Sequence, residues 1–77
     1  MIQAYVLVQT EVGHATEVAT AVAALEGVDS ASEVTGPYDL IVRIAADDLD
    51  GLGSFVVDRI QVVPGITRTL TCTIVHG

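Results

Sequence analysis

The segment Thr35-Gly36-Pro37-Tyr38-Asp39 holds the richest chemistry in this chain. A glycine, having no Cβ, lets a ligand approach the backbone, and exposed N–H groups beside it can receive a carboxylate. The Asp39 carboxylate can pair with an ammonium group, and Tyr38 adds a rigid apolar wall with a polar tip. Those groups match the two ends of an amino-acid zwitterion. The same five residues also read as a plain hairpin connection, with Gly36 for positive φ, Pro37 for preset φ and Asp39 bonding its own backbone. Local chemistry leaves both readings open.

Nothing else in the chain gathers comparable groups. His14 and His76 are the only histidines. They have no metal-ligand spacing to each other or to Cys72, and both read as surface residues at element ends. A lone cysteine rules out an internal disulfide and a multi-cysteine zinc site, is compatible with a reducing compartment, and reads as a small buried apolar side chain. Asp47, Asp48 and Asp50 cluster ahead of an apolar helical pattern, where helix capping explains them better than a divalent ion does. No phosphate-cradling glycine loop, HExxH or nucleophile elbow is present. No catalytic residue, no metal site and no cofactor is therefore expected, and the chain does not read as an enzyme.

The elements that must position Thr35 to Asp39 follow from periodicity. Ile2 to Gln9 alternates as strand β1. His14 to Leu25, with Val18, Ala21, Val22 and Leu25 in step, predicts helix α1, stopped by Gly27. Val28 to Thr35 is a short polar strand β2, and Leu40 to Ile44 is β3. Asp47 or Asp48 caps α2, whose stripe is Leu49, Leu52, Val56, Ile60 and Val63; Pro64-Gly65 ends it, and Ile66 to Val75 is β4. Gly51 and Gly53 each cost the helix about 0.5 to 1 kcal/mol, so its first turn is either loose or closely approached.

The two halves repeat at an offset of 65 − 27 = 38 residues, set by Gly27 and Gly65. Ile2, Ala4 and Val6 match Leu40, Val42 and Ile44. Two such βαβ units predict an α+β fold: a ferredoxin-like βαββαβ chain with a four-stranded antiparallel sheet, β1 and β3 central, and both helices on one face. With Ile2, Ala4, Val6, Leu40, Val42 and Ile44 facing the helices, Tyr5, Leu7, Ile41 and Arg43 are left on an uncovered face. That face predicts a homodimer built sheet on sheet.

Composition agrees with self-association. The chain has 77 residues, room for one domain only, and 51% of them are hydrophobic. Its net charge is −7, with three arginines and no lysine, so neither direct nucleic-acid binding nor a membrane-surface partner is expected. The start lacks the basic n-region of a signal peptide, and no apolar run approaches the roughly 20 residues of a membrane helix, which predicts a cytoplasmic protein. The lysine-free composition suits a GC-rich bacterial genome.

Three stretches together resemble the effector-binding domain of the Lrp/AsnC transcription factors, the RAM domain. They are Ala4-Tyr5-Val6-Leu7-Val8, Val34-Thr35-Gly36-Pro37-Tyr38-Asp39-Leu40, and Pro64-Gly65-Ile66-Thr67-Arg68-Thr69 leading into a threonine-rich last strand. The resemblance covers the whole chain. It implies sheet-to-sheet dimers assembling into rings, with a small effector, commonly an amino acid, bound beside the turn that Thr35 to Asp39 match. Full-length members carry an N-terminal helix-turn-helix, so the chain looks like a stand-alone form that acts through its own assembly or through association with full-length relatives. Two other classes stay in play: a dimeric α/β-barrel enzyme, monooxygenase-like, and a purely structural oligomerisation unit.

Overall fold

A computed structural model describes residues 1–76. The elements are β1 (Ile2–Thr10), α1 (Ala15–Ala23), β2 (Val28–Glu33), β3 (Leu40–Ala46), α2 (Leu49–Phe55) continuing into a π-helical turn (Val56–Ile60), and β4 (Ile66–Thr73). All pairings are antiparallel and the sheet order is β2-β3-β1-β4. This is the ferredoxin-like βαββαβ arrangement that the repeat predicts, with the repeated strands β1 and β3 in the centre.

Alternation along the central strands builds the core. Ala4, Val6 and Val8 of β1 and Leu40, Val42 and Ile44 of β3 are fully buried beneath Val18 and Val22 of α1 and Leu52, Val56 and Ile60 of the second helix. Burying one such side chain contributes about 1.5 to 3 kcal/mol. Two glycines lie in the turns that lead from the helices into the strands, not at the expected helix ends: α1 already ends at Ala23 with Ala24 in the αR conformation, and the π-helical turn ends at Ile60 with Gln61 likewise αR. Gly27 (φ +98°) and Gly65 (φ +96°) adopt left-handed conformations, and each is touched from the other half. A Cβ at Gly27 would lie 3.1 Å from the Phe55 ring, and one at Gly65 would lie 2.9 Å from Val18 Cγ2. The second helix begins as expected at Asp48, whose Oδ1 accepts from the Gly51 amide at 2.7 Å.

Several expectations need correction. Cys72 is exposed, not buried, because β4 is an edge strand and Cys72 pairs with Tyr5 on the side away from the helices. Leu49 is 62% exposed because it directly follows the Asp48 cap, where the helix projects beyond the core. Ala21 is exposed as well; α1 runs from Ala15 to Ala23 rather than from His14 to Leu25, so Ala19 and, past the helix end, Leu25 pack against the core instead. Ile2 and Val63 are only partly buried at the margins of the cluster. β2 stops at Glu33 rather than Thr35, since the Val34 amide already turns to bond the Asp39 carbonyl at 2.9 Å. β4 stops at Thr73 rather than Val75; Ile74 makes one more bond to Gln3, and β1 offers little strand beyond that. Gly51 is closely approached, its would-be Cβ lying 3.2 Å from Asp48 Oδ1; nothing in the structure explains Gly53.

Candidate functional site: the β2–β3 turn and the open sheet face

The turn from Val34 to Asp39 is tied to the end of β1 by a set of long-range bonds. The Asp39 amide donates to the Val8 carbonyl at 2.8 Å. Gln9 Nε2 donates to the Pro37 carbonyl at 2.9 Å. Asp39 Oδ2 accepts twice from Thr10, from its amide at 2.8 Å and from Oγ1 at 3.2 Å. So the Asp39 side chain bonds a strand end 29 residues away rather than its own backbone, and the turn is held as a rigid projection.

Its tip remains open. Gly36 has φ +143°, a conformation that L side chains rarely adopt, and a Cβ built there meets nothing within 4 Å. Packing within the chain therefore does not demand glycine at this position; backbone conformation does. The amides of Thr35, Gly36 and Tyr38 donate to no backbone carbonyl among the described residues. Tyr38 and Asp39 are half-buried.

Beside the tip lies a concavity of about 410 Å³, lined by Leu7, Val34, Thr35, Gly36, Pro37, Tyr38 and Ile41. It brings together residues that the sequence assigns to two different tasks, the turn on one wall and Leu7 and Ile41 of the uncovered face on the other. A hollow of about 420 Å³ lies at the opposite end of β1, among Met1, Ile2, Gln3, Leu49 and Thr73 to Val75. Neither lining carries a charged side chain. What sets the turn apart is that Asp39 adjoins its hollow in sequence and that the amides of Thr35, Gly36 and Tyr38 donate to no backbone carbonyl among the described residues, so the turn is the stronger candidate on chemistry, not on size.

The uncovered face is continuous with the turn. Cross-strand pairing sets Tyr5 against Arg43 and Cys72, and Leu7 against Ile41 and Leu70. Tyr5 and Arg43 are repeat equivalents (5 + 38 = 43) and neighbours at once, so a local pseudo-two-fold passes between them. The Arg43 guanidinium stands 5.8 Å from the Tyr5 ring centroid and donates to Gln3 Oε1 at 3.0 Å. Leu70, which sequence reasoning missed, is 45% exposed and widens the apolar area. Its parity in β4 was the available signal. Paired positions on this face include Gln9 with Arg68 and Ser32 with Ile41, and none of them is acidic.

The remaining candidates do not converge. His14 Nδ1 lies 3.3 Å from Glu17 Oε2 on the α1 surface, far in sequence from the turn. Among the described residues no three His, Cys, Asp or Glu side chains gather in a way that could hold a metal ion, and no helix is long and apolar enough to cross a membrane. Thr10 and Gln9 are the site residues that the sequence did not reveal, because only the fold brings them to Asp39 and Pro37.

Known proteins share this fold. The family model for the Lrp/AsnC ligand binding domain matches residues 3–76. The HTH-type transcriptional regulator FL11 of Pyrococcus abyssi is 34% identical over 68 residues, 88% of this chain and 44% of that protein. The homocitrate synthase of Sulfolobus acidocaldarius is 33% identical over 61 residues, 79% of this chain but only 13% of the enzyme. Thus the chain spans less than half the length of these curated relatives. Among solved structures, FFRP-DM1 superposes with a TM-score of 0.90 at 35% identity, covering 97% of this chain and 100% of that one. The transcriptional regulator NMB0573 of Neisseria meningitidis, solved as a complex with L-Met, superposes with a TM-score of 0.86 at 22% identity, over 97% of this chain and 50% of that one. At that identity the likeness is one of fold.

Proposed function

The chain belongs to the Lrp/AsnC ligand binding domain family, and on that premise we propose that it is a small-molecule-sensing regulatory module whose effector is an amino acid held at Thr35, Gly36, Pro37, Tyr38 and Asp39. The observation that carries this reading is the turn itself. It is clamped to β1 through Asp39, Pro37 and Val8, yet presents an uncrowded Gly36 and three amides that donate to no backbone carbonyl among the described residues. The carboxylate of the effector would meet those amides, its ammonium would meet Asp39, and its side chain would enter the hollow walled by Val34, Pro37, Tyr38, Leu7 and Ile41. That lining favours an apolar side chain, because a charged one would lose its hydration there without a partner. The L-Met complex of NMB0573 is support by analogy of fold.

Regulation then runs through assembly. Tyr5, Leu7, Ile41 and Arg43, joined by Leu70, form the face on which a second copy packs, and dimers could associate further into rings. Leu7 and Ile41 border both that face and the hollow, so occupancy of the hollow and closure of the interface are physically linked. The module would pass its signal either to full-length Lrp/AsnC regulators or to its own oligomeric state. The match within a homocitrate synthase favours a second version of the same reading, in which such a module reports an effector to an enzyme rather than to a promoter.

A thermal-shift panel of the twenty amino acids tests the proposal. A ligand at 100 times its Kd stabilises the folded form by about 2.7 kcal/mol, which for a domain of this size moves Tm by roughly 10 °C or more. A response to one or a few apolar amino acids is expected. A flat panel would remove the amino-acid reading.

A further inference from the structure

Asp39 is not a free carboxylate awaiting a cation. One of its oxygens, Oδ2, already accepts both the amide and the hydroxyl of Thr10, while no bond to Oδ1 is found among the described residues. Two donors on one oxygen fix the rotation of the carboxylate and leave the other oxygen to a partner, since an ionised carboxylate offers about four acceptor sites. The donor residue is itself held in place. The pairing of β1 with β4 shifts register between Gln9 and Thr10, and a shift of this kind re-aims backbone groups that would otherwise join the ladder. Here the Thr10 amide points to Asp39, and the next amide, that of Glu11, bonds the Gly65 carbonyl at 2.8 Å. Thr10 is thus anchored from both sides, by the β1 strand before it and by the α2–β4 connection after it.

We infer that Thr10 is a positioning residue for effector recognition: it holds Oδ2 of Asp39 so that Oδ1 is presented, pre-aimed, to the ligand's ammonium group. This rests on the assignment of Asp39 to the ammonium made above. A carboxylate fixed before the ligand arrives loses little rotamer freedom on binding, so the contribution of Thr10 appears in affinity for ligands that carry an ammonium and not in affinity for those that lack one. A threonine serving only as a clamp on the turn would affect both kinds of ligand alike.

Calorimetry with two probes separates these roles: L-leucine, and L-2-hydroxyisocaproate, which replaces the ammonium by a hydroxyl and keeps the rest. Wild-type protein should favour leucine. Thr10→Val keeps the shape and the backbone bond but removes the hydroxyl donor, and should narrow the leucine preference by roughly three- to tenfold, with Thr10→Ser restoring it. Should Thr10→Val melt below the assay temperature, Thr10→Ala gives the same comparison in a smaller side chain. An unchanged leucine preference in the folded variant overturns the positioning role and leaves the effector reading standing. Equal wild-type affinity for both probes overturns the ammonium assignment, and the inference with it. Binding of neither probe by wild type overturns the inference, while the amino-acid reading itself stands or falls with the thermal-shift panel of all twenty.

Discussion

Val6 and Leu7 are adjacent on β1, and the contrast between them is the contrast between the two faces of the sheet. Val6 is fully buried, paired with Val42 and Thr71 under the helices; Leu7 is paired with Ile41 and Leu70 on a face where Tyr5 stays 39% exposed. Both faces are apolar along the central strands, yet only one is closed by the chain's own helices. A 77-residue chain has two helices and a sheet with two sides, so the hydrophobic content that closes one side leaves a surplus on the other. What differs is the source of closure: covalent neighbours for Val6, and in the proposed assembly a second copy for Leu7.

The largest effect should come from carrying a charge into the closed face. Val6→Asp buries a carboxylate with no partner in the core, at a cost of several kcal/mol against a total stability of about 5 to 15 for an ordinary domain. The expected result is loss of the cooperative thermal transition by circular dichroism. A folded Val6→Asp protein would mean that the closed face is open to water.

One residue further along, Leu7→Asp should behave differently. It places the same charge on the uncovered face, so the protomer should keep its fold while the assembly loses several kcal/mol of association energy. Light scattering at micromolar concentration should report a dimer or larger for wild type and a folded monomer for the variant. A wild-type monomer, or an unchanged mass for Leu7→Asp, would erase the distinction between an open and a partner-closed face.

Much of this contrast is legible in the sequence, and the reasons for the rest are specific. Alternation along Ile2 to Gln9 and Leu40 to Ile44 assigns each residue to a face, and the 38-residue repeat places Tyr5 beside Arg43 because strands related by the repeat are also neighbours. Asp48 is visible because a helix start has strong local chemistry, whereas Gly27 and Gly65 are recognised as left-handed glycines but placed at helix ends when they belong to the turns before β2 and β4. The π-helical turn at Val56–Ile60 is not visible, since the apolar spacing Leu52, Val56, Ile60 fits a regular α-helix equally well. Cys72 is misread because residue type alone says buried while its place on an edge strand says exposed. The Thr10–Asp39 bonds span 29 residues, and Thr10 carries no pattern that marks it; only the register of β1 against its neighbours brings it to the turn.

A smaller effect is expected where the two faces meet. Asp39→Ala removes the proposed ammonium partner and the acceptor for Thr10, so amino-acid affinity should fall roughly ten- to a hundredfold, the worth of a charge-assisted hydrogen bond of about 1.5 to 3 kcal/mol. The core under the helices is untouched and the fold should survive, with the loss of the Thr10 bonds showing as a modest drop in Tm. Wild-type affinity measured by calorimetry would return Asp39 to a purely structural part in the turn.

The smallest effect is an expected absence of signal, and it concerns the charges of the two faces. Arg43 and Arg68 lie among the paired positions of the uncovered face, and no acid is paired there, so a free open face would present two cations on which phosphate could dock. Each phosphate contact made by a cation steepens the salt dependence of binding by about one unit of slope. In the proposed dimer that face is covered, and Arg43 is already engaged by Tyr5 and Gln3. The 77-residue chain alone should therefore give no mobility shift with duplex DNA, at either 50 or 200 mM salt on the order of the usual assay range. A shift that strengthens at the lower salt and disappears in an Arg43→Gln, Arg68→Gln variant would show the face to be exposed in solution, and the open side of the sheet would then be a cationic surface in its own right rather than one half of an interface.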